Sequence, residues 1–404
     1  MLAIQYLEPG PDSVGIATED ARARLRAAFE RLPISRVILG WDLPAALIEA
    51  CSQEASRAGA RLLLWYPLLT ARGTRDSRPE WQTLGLNGER VPGFLGLPEF
   101  TFVCPNRPAV QGAALEHMQR ELQRGGYQGV FLDRIRYPSP SAGPDRLLAC
   151  FCEHCQRAAA DEGLDLASAR RSIQKLLADV QQSKAVVRVL LNPEADASAD
   201  PRLTLLRRFL DFRARSITRF VGVAADIVHA QGLEVALDLF SPTLTHMVGQ
   251  DLAALNGVCS WAKVMTYGHT LAPAGVPYEL GGLARWLIER ASSSEATALD
   301  FLASAAQLLL RPTLDALAAR GLGSEALAAE TRRGRRAGLS RLLAGVELVD
   351  VEGVTRLNAA QIAADLRAFY EGGAHGLVLS WDLWRIPLER LDLVRTVWLA
   401  CKPC

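Results

Sequence analysis

The sequence predicts an α/β fold, specifically a (β/α)8 TIM barrel in which parallel strands alternate with helices. Short aliphatic runs typical of buried strands recur along the 404 residues, most of them separated by a helical pattern. No glycine-rich phosphate loop follows the first run, which argues against the alternative, a doubly wound open sheet. The eight runs are residues 3–7, 36–40, 61–66, 129–132, 233–237, 261–266, 342–346 and 376–380. Eight βα units predict a closed barrel with the helices outside.

Helix signals lie between the runs, and three stretches interrupt the alternation. Pro108 suits the first turn of a helix, and Gly59, Gly125 and Gly232 stand where C-terminal caps belong. We expect a single catalytic barrel over residues 1–404 with helical and hairpin insertions in its βα loops. The insertions are predicted at about 70–104, where Asn87-Gly88 is a hairpin signal, and at about 139–201 and 272–338.

Composition narrows the class of protein. The 45 basic and 44 acidic side chains nearly cancel, which argues against nucleic acid as a partner. No run of eighteen apolar residues is present, so no membrane span is predicted. The first residues enter a strand without a basic region and an apolar core, and the eight cysteines are mostly scattered. A cytoplasmic location is therefore expected. The oligomeric state is left open.

The carboxyl ends of the predicted strands carry acids, aromatic rings and one lysine. In an α/β barrel these positions surround the active site. Paired carboxylates can protonate a glycosidic oxygen and stabilise or attack the anomeric carbon, and aromatic faces can stack on a sugar ring. The pattern thus predicts a carbohydrate substrate. The residues are Glu8, Trp41, Asp42, Trp65, Tyr66, Asp133, Asp238, Lys263, Tyr267, Glu347, Trp381 and Asp382.

Each acid also has a purely structural interpretation. Asp133 could pair with a neighbouring arginine and order its loop, and Asp238 could cap a following turn. Glu347 could be an ion-pair partner of Lys263, and Asp382 could cap the last helix by accepting backbone N–H bonds. The coincidence of several acids and tryptophans at strand ends favours the catalytic interpretation.

Lys263 allows a different chemistry. A desolvated lysine on strand 6 of a barrel can form a Schiff base with a carbonyl substrate, as in a lyase or aldolase. Several carboxylates are expected nearby and would keep this lysine charged, which favours substrate binding or an ion pair. A carbohydrate-binding barrel without catalysis is the third hypothesis.

The segment from Cys150 to Cys155 contains three thiols, Cys150, Cys152 and Cys155, and one imidazole. A zinc site needs four ligands, and Cys104 in the preceding insertion could complete the set. The spacing matches no common iron–sulfur pattern. Reduced loop cysteines are the favoured interpretation, so neither a metal nor a cofactor is predicted.

The stretch from Trp81 to Tyr137 resembles a group of bacterial glycoside hydrolases with (β/α)8 barrels, the alpha-amylase-like and family-10-like hypothetical hydrolases. The resemblance rests on Trp81, Asn87-Gly88, Cys104 to Pro108, and above all on Gly129 to Pro138. It implies hydrolysis of a glycosidic bond.

The resemblance also makes Asp133 the matching strand-4 acid. It leaves the partner open between Glu347 on strand 7 and Asp238 on strand 5. Carboxyl groups about 5–5.5 Å apart would imply retention of configuration, and about 6.5–9.5 Å inversion. The predicted catalytic residues are therefore Asp133, Glu347 and Asp238. The predicted substrate-binding residues are Arg136, Tyr137, Lys263, Tyr267, Trp41, Trp65, Asn106, Trp381 and Asp382.

Overall fold

The computed structural model describes residues 1–9, 15–76, 78–192 and 200–401. Within these residues, eight parallel strands hydrogen-bond in chain order, and β8 closes onto β1. The strands are β1 Leu2–Tyr6, β2 Arg36–Leu39, β3 Arg61–Pro67, β4 Gly129–Asp133, β5 Glu234–Phe240, β6 Trp261–Met265, β7 Leu342–Glu347 and β8 Gly376–Ser380. The predicted (β/α)8 barrel is confirmed.

Helices connect each strand to the next and cover the outside of the barrel. The described helices are α1 Thr18–Arg31, α2 Ala45–Arg57, α3 Pro108–Gln123, α4 Pro144–Leu147, α5 Glu153–Asp161, α6 Leu166–Ala178, α7 Ser183–Leu191, α8 Pro201–His229, α9 Pro242–Thr245, α10 Leu252–Asn256, α11 Val276–Ala291, α12 Glu295–Ala306, α13 Leu314–Arg320, α14 Ser324–Arg336, α15 Ala359–Glu371 and α16 Leu388–Trp398. None of them is long and apolar enough to cross a membrane.

The three longest connections follow β3, β4 and β6. The loop between β3 and α3 folds back on itself through antiparallel bridges that join Thr70 to Phe102 and Gln82 to Val103. Helices α4 to α7 precede α8 in the β4–β5 connection, and α11 to α14 form the β6–β7 connection. These long connections lie on the side of the barrel where the strands end.

The barrel interior is built in layers because alternate residues of a strand face inward. A lower layer is apolar and includes Phe131 and Trp261, whose ring centroids lie 5.7 Å apart. Two residues further along β4 and β6 come Asp133 and Lys263. The interior therefore changes from apolar to polar towards the carboxyl ends of the strands.

The strands reach further than the sequence predicts. Asp133 is the last residue of β4, Asp238 lies inside β5, and Glu347 is the last residue of β7. Each was expected just after its strand. Because these residues are held in the sheet, the strand register fixes their relative positions.

Candidate active site

A cavity of about 320 Å³ opens at the carboxyl ends of the strands. Its volume is at the lower end of the range for a pocket that holds a small ligand. Seven of the predicted catalytic and substrate-binding residues line it: Trp65, Asp133, Arg136, Asp238, Lys263, Tyr267 and Trp381. The wall also contains Gln5, Glu8, Phe94, Glu99, Phe100, Arg134, Phe240, Thr270 and Arg385.

Asp133 is surrounded by hydrogen-bond donors. Its Oδ2 accepts from the indole Nε1 of Trp65 at 2.8 Å and from Nη1 of Arg134 at 2.8 Å. Its Oδ1 accepts from the backbone N–H of Arg134. The side chain is buried and acts as an acceptor in every one of these bonds. This arrangement fixes the orientation of the carboxylate and suits an anion.

Arg134 links two acids of the cavity wall. Besides Asp133, its guanidinium contacts Glu8, with Nη2 at 3.1 Å from Oε1. Arg134 has a φ of 54°, in the left-handed region that is uncommon for residues other than glycine. Burial raises the pKa of Glu8, and Arg134 opposes this rise. The bend after β4 thus turns the arginine back onto the strand's own acid.

Asp238 forms a buried ion pair with Lys263, with Nζ at 2.9 Å from Oδ2. Its other carboxylate oxygen, Oδ1, is buried and has no hydrogen-bond partner among the described residues. Burial raises the pKa of Asp238 to about 7, Lys263 opposes the rise, and Asp133 adds to it. A buried oxygen without a partner is costly unless a ligand or water uses it.

Lys263 is charged in this setting. Its Nζ donates to Gln5 Oε1 and to Asp238 Oδ2, both at 2.9 Å. Burial by itself lowers the pKa of an ammonium, but Asp238 outweighs burial and the pKa of Lys263 lies above its ordinary value. A protonated amine is not a nucleophile, so the contacts do not favour Schiff-base chemistry.

Strand register sets Asp133 beside Asp238. The preceding residues, Leu132 of β4 and Leu237 of β5, are register partners. Both acids are the next residues on neighbouring strands, and both line the cavity. Adjacent strands lie about 4.8 Å apart, so the two side chains leave the sheet close together and in the same direction.

Space for the lysine comes from a glycine on β7. A Cβ at Gly345 would lie 2.8 Å from Cε of Lys263 and 3.2 Å from a ring carbon of Tyr267. Tyr267 lies beside this amine, and burial raises the pKa of its hydroxyl to about 12. The phenol is therefore neutral and able to donate a hydrogen bond.

Aromatic rings and a buried arginine complete the wall. The rings of Trp381 and Tyr267 lie 6.3 Å apart between centroids. The guanidinium of Arg136 is 4.3 Å from the ring centroids of both Phe102 and Phe240. Burial lowers the pKa of Arg136 to about 10, so it stays charged at neutral pH. The cavity thus combines aromatic faces with fixed cations and acids.

Glu347 is held differently and is not among the described residues that line the cavity. Its Oε1 accepts from Oγ1 of Thr270 at 2.6 Å, and both of its oxygens accept from the backbone N–H of His269 at 3.2 Å. His269 in turn contacts Asp365 at 3.0 Å. Burial raises the pKa of Glu347 to about 7, and His269 opposes the rise. Glu347 therefore fastens the loop after β6 to β7.

Four predicted binding residues lie outside the cavity lining. Trp41 is buried edge-on against Trp65, 5.4 Å away between centroids. Tyr137 is buried. Asn106 donates to Ser216 Oγ at 3.0 Å. Asp382 accepts from the backbone N–H of Leu7 at 2.9 Å and of Trp384 at 3.0 Å, which is a capping role. The cavity does not bring these four together with the seven residues that line it.

Several lining residues were not predicted from the sequence. Gln5 contacts Lys263 and also accepts from Oγ of Ser380 at 2.9 Å. Gln5 is a polar residue inside the buried strand Leu2–Tyr6, and this alone could have marked it as a candidate site residue. Arg134 could have been inferred from its position beside Asp133. Thr270, Phe94 and Phe100 lie in long loops, where no local pattern indicates which side chains face the cavity.

Two groups of side chains outside the cavity could bind a metal ion. Cys150, Cys152 and Cys155 lie together with Cys104. Asp42, His117 and Glu121 form the second group, in which Arg72 pairs with Asp42 and Arg124 with Glu121. The two arginines therefore supply positive charge to both acids of the second group.

No family model and no curated protein matches this sequence. Solved structures of similar fold include the PgaB (BpsB) glycoside hydrolase domain from Bordetella bronchiseptica, with 14% identity over 98% of both chains and a TM-score of 0.58. The catalytic domain of β-amylase from Paenibacillus polymyxa has 10% identity over 100% of this chain and 99% of its own, with a TM-score of 0.55. β-Galactosidase from the psychrophilic Marinomonas ef1 has 14% identity and a TM-score of 0.55, over 98% of this chain and 59% of its own. The chain thus shares the barrel fold of these glycoside hydrolases.

Proposed function

We propose that this protein is a glycoside hydrolase in which Asp133 and Asp238 act on one glycosidic bond. The proposal rests on the position of the two acids, which lie on neighbouring strands and line the same cavity. The cavity also offers Trp381 and Tyr267 as faces for a sugar ring. The solved hydrolases of similar fold support the proposal at the level of the fold.

Asp238 is the better candidate for the general acid. A pKa of about 7 keeps a large fraction of this carboxyl protonated at neutral pH and lets it exchange its proton there. Its unpartnered Oδ1 is the atom that could donate to the glycosidic oxygen. In a second step the same carboxylate would accept a proton from the attacking water.

Asp133 is then the nucleophile that attacks the anomeric carbon. Its three donors hold it in one orientation without using every lone pair of its oxygens. The two acids leave neighbouring strands, which lie about 4.8 Å apart, and this proximity favours the shorter carboxyl separation of about 5–5.5 Å found in retaining enzymes. We therefore propose retention of configuration at the anomeric carbon.

Glu347 remains the alternative partner of Asp133, but its oxygens accept hydrogen bonds from Thr270 and His269. The Schiff-base hypothesis is weakened by the ion pair of Lys263. A carbohydrate-binding barrel without catalysis would have the same cavity, so turnover is the deciding observation.

A panel of chromogenic aryl glycosides and unlabelled oligosaccharides tests the proposal. The wild type should hydrolyse at least one class, and Asp133→Asn should abolish cleavage while the circular dichroism spectrum is unchanged. Asp165→Asn is the matched control, because Asp165 caps α6 at an exposed position and asparagine caps equally well. Full activity in Asp133→Asn would refute the proposal. Tight sugar binding without turnover would favour the binding barrel.

A further inference from the structure

Four cysteines from two separate connections meet inside the protein. Cys104 lies just before α3, and Cys150, Cys152 and Cys155 lie around the start of α5. All four are buried, and their sulfur atoms lie within 4.8 Å of one another. We call these residues the four-cysteine cluster. None of its members lines the cavity described above.

The distances between the sulfur atoms suit a single metal ion. Sγ of Cys104 is 3.4 Å from Sγ of Cys152 and 3.5 Å from that of Cys155, too far for a disulfide bond of about 2.05 Å. A tetrahedral zinc ion with Zn–S bonds of about 2.3 Å places its sulfurs about 3.8 Å apart. An iron–sulfur cluster inserts several irons and sulfides between the cysteines and needs a wider cage.

Nearby N–H groups point at the sulfurs. The backbone N–H of Leu84 donates to Sγ of Cys150 at 3.2 Å, and the side-chain amide of Asn106 donates to Sγ of Cys155 at 3.4 Å. Donors to sulfur favour the thiolate over the thiol and are typical of the surroundings of metal-bound cysteines. The contact with Cys155 also gives Asn106 a role outside the sugar cavity.

Arg213 provides an independent indication of negative charge. Its side chain is fully buried in α8 and donates to the carbonyl oxygens of Met247 and Leu147, both at 2.9 Å. No carboxylate pairs with it among the described residues, whereas Cys150 and Cys155 lie close enough to interact with its charge. A buried cation without an anion is strongly unfavourable. Four thiolates around Zn²⁺ carry a net charge of −2, which would compensate Arg213.

We propose that the four-cysteine cluster binds one zinc ion in a closed, tetrahedral, structural site. Four protein ligands leave no open position for water or substrate, so the ion has no part in catalysis. The site would fasten the β3–α3 loop, which supplies Phe94, Glu99 and Phe100 to the cavity wall, to the β4–β5 connection. This inference reverses the sequence-based preference for reduced loop cysteines, and it does not depend on the proposed activity.

Metal analysis of the purified full-length chain tests the proposal. Protein grown with added zinc and dialysed against EDTA should retain one zinc ion per chain. Cys104→Ser and Cys152→Ser should each retain less than about one tenth of this, because three ligands leave an open, labile site. Cys259→Ser is the matched control, since Cys259 lies outside the cluster, and it should keep the full amount. Wild-type protein without stoichiometric zinc, or with iron and sulfide, would overturn the proposal.

A spectroscopic measurement covers the case in which the serine variants do not fold. Wild-type protein produced with cobalt in place of zinc should show the intense visible bands of tetrahedral Co²⁺ and thiolate-to-metal charge transfer. Weak bands of octahedral cobalt without charge transfer would contradict the proposal, as would the absence of bound cobalt.

Discussion

Asp238 on β5 and Glu347 on β7 make an instructive pair. Both are buried, both belong to the strands of the barrel, and burial raises the pKa of both to about 7. Their hydrogen bonds differ: Asp238 keeps one oxygen without a partner, whereas Glu347 is held by the N–H of His269 and the hydroxyl of Thr270. A raised pKa therefore does not by itself identify a catalytic acid. An oxygen without a hydrogen-bond partner, on a residue that lines a cavity, is the more selective criterion.

The largest expected effect separates the two acids by activity. Asp238→Asn should lower kcat/KM by on the order of 10²–10⁴-fold, because general acid–base catalysis contributes that much. Glu347→Gln keeps an oxygen that can accept from Thr270 and should lower kcat/KM less than about tenfold. Steady-state kinetics on the best aryl glycoside check both values. Equal losses in the two variants would contradict the assignment of Asp238, and not Glu347, as the general acid.

The second effect is a pH dependence of the free energy of unfolding that is caused by Glu347. Its pKa is about 7 in the folded protein and about 4.5 when exposed, so the folded protein binds the proton more tightly. The protonated Glu347 carboxyl therefore adds to the free energy of unfolding. This stabilisation is fully present below about pH 4.5 and is lost as the pH rises through about 7. Relative to Glu347→Gln, the wild type should lose about 3 kcal/mol of unfolding free energy between pH 4 and pH 8.

Urea unfolding of both proteins across this range measures that loss. The control is Glu352→Gln, the same substitution at an exposed glutamate. A difference between the wild type and Glu347→Gln that does not change with pH would show that this carboxyl is not held as described.

The third effect is a shift in the pH dependence of kcat/KM. Asp238 must be protonated to act as an acid, so kcat/KM should fall as the pH rises through about 7. Lys263 opposes the rise in the pKa of Asp238, so Lys263→Met should move this limb to higher pH, by up to about one unit. The pH dependence of kcat/KM in the two proteins measures the shift. A limb that moves to lower pH would contradict the role assigned to the ion pair.

The smallest effect concerns sugar binding. Trp381 lines the cavity beside Tyr267, and stacking on an aromatic face is worth about 1 kcal/mol. Trp381→Leu should raise KM about fivefold and leave kcat nearly unchanged, since 1.4 kcal/mol is tenfold. Trp286→Leu, at a tryptophan that donates to Asp145 away from the cavity, serves as the control. A loss confined to kcat would show that Trp381 acts in the reaction step instead.

The fold and the grouping of Asp133, Asp238 and Lys263 could be predicted because both follow from local patterns. Strand periodicity sets which side chains face inward, and parallel strands end on one side of a barrel. The hydrogen-bond partners of each acid could not be predicted in this way. Asp382 accepts a hydrogen bond from the N–H of Leu7, 375 residues away in sequence, and the donors to Glu347 come from the loop after β6.

The orientation of Tyr137 shows the same limit. The motif around Asp133 suggested that this ring faces the substrate, but it is buried under the guanidinium of Arg213, 4.2 Å from the ring centroid. Arg213 belongs to α8, far along the chain. Contacts between distant segments decide which residues of a motif reach the cavity, and a single sequence does not contain them.

A mechanism-based covalent probe tests the central claim most directly. A cyclitol epoxide or aziridine matched to the hydrolysed sugar reacts with the nucleophile of a retaining glycosidase, and peptide mapping by mass spectrometry locates the adduct. We expect one adduct, on Asp133, in the wild type and in Glu347→Gln, and none in Asp133→Asn. An adduct on Glu347 or on Lys263 would contradict the assignment of Asp133 and Asp238 as the catalytic pair.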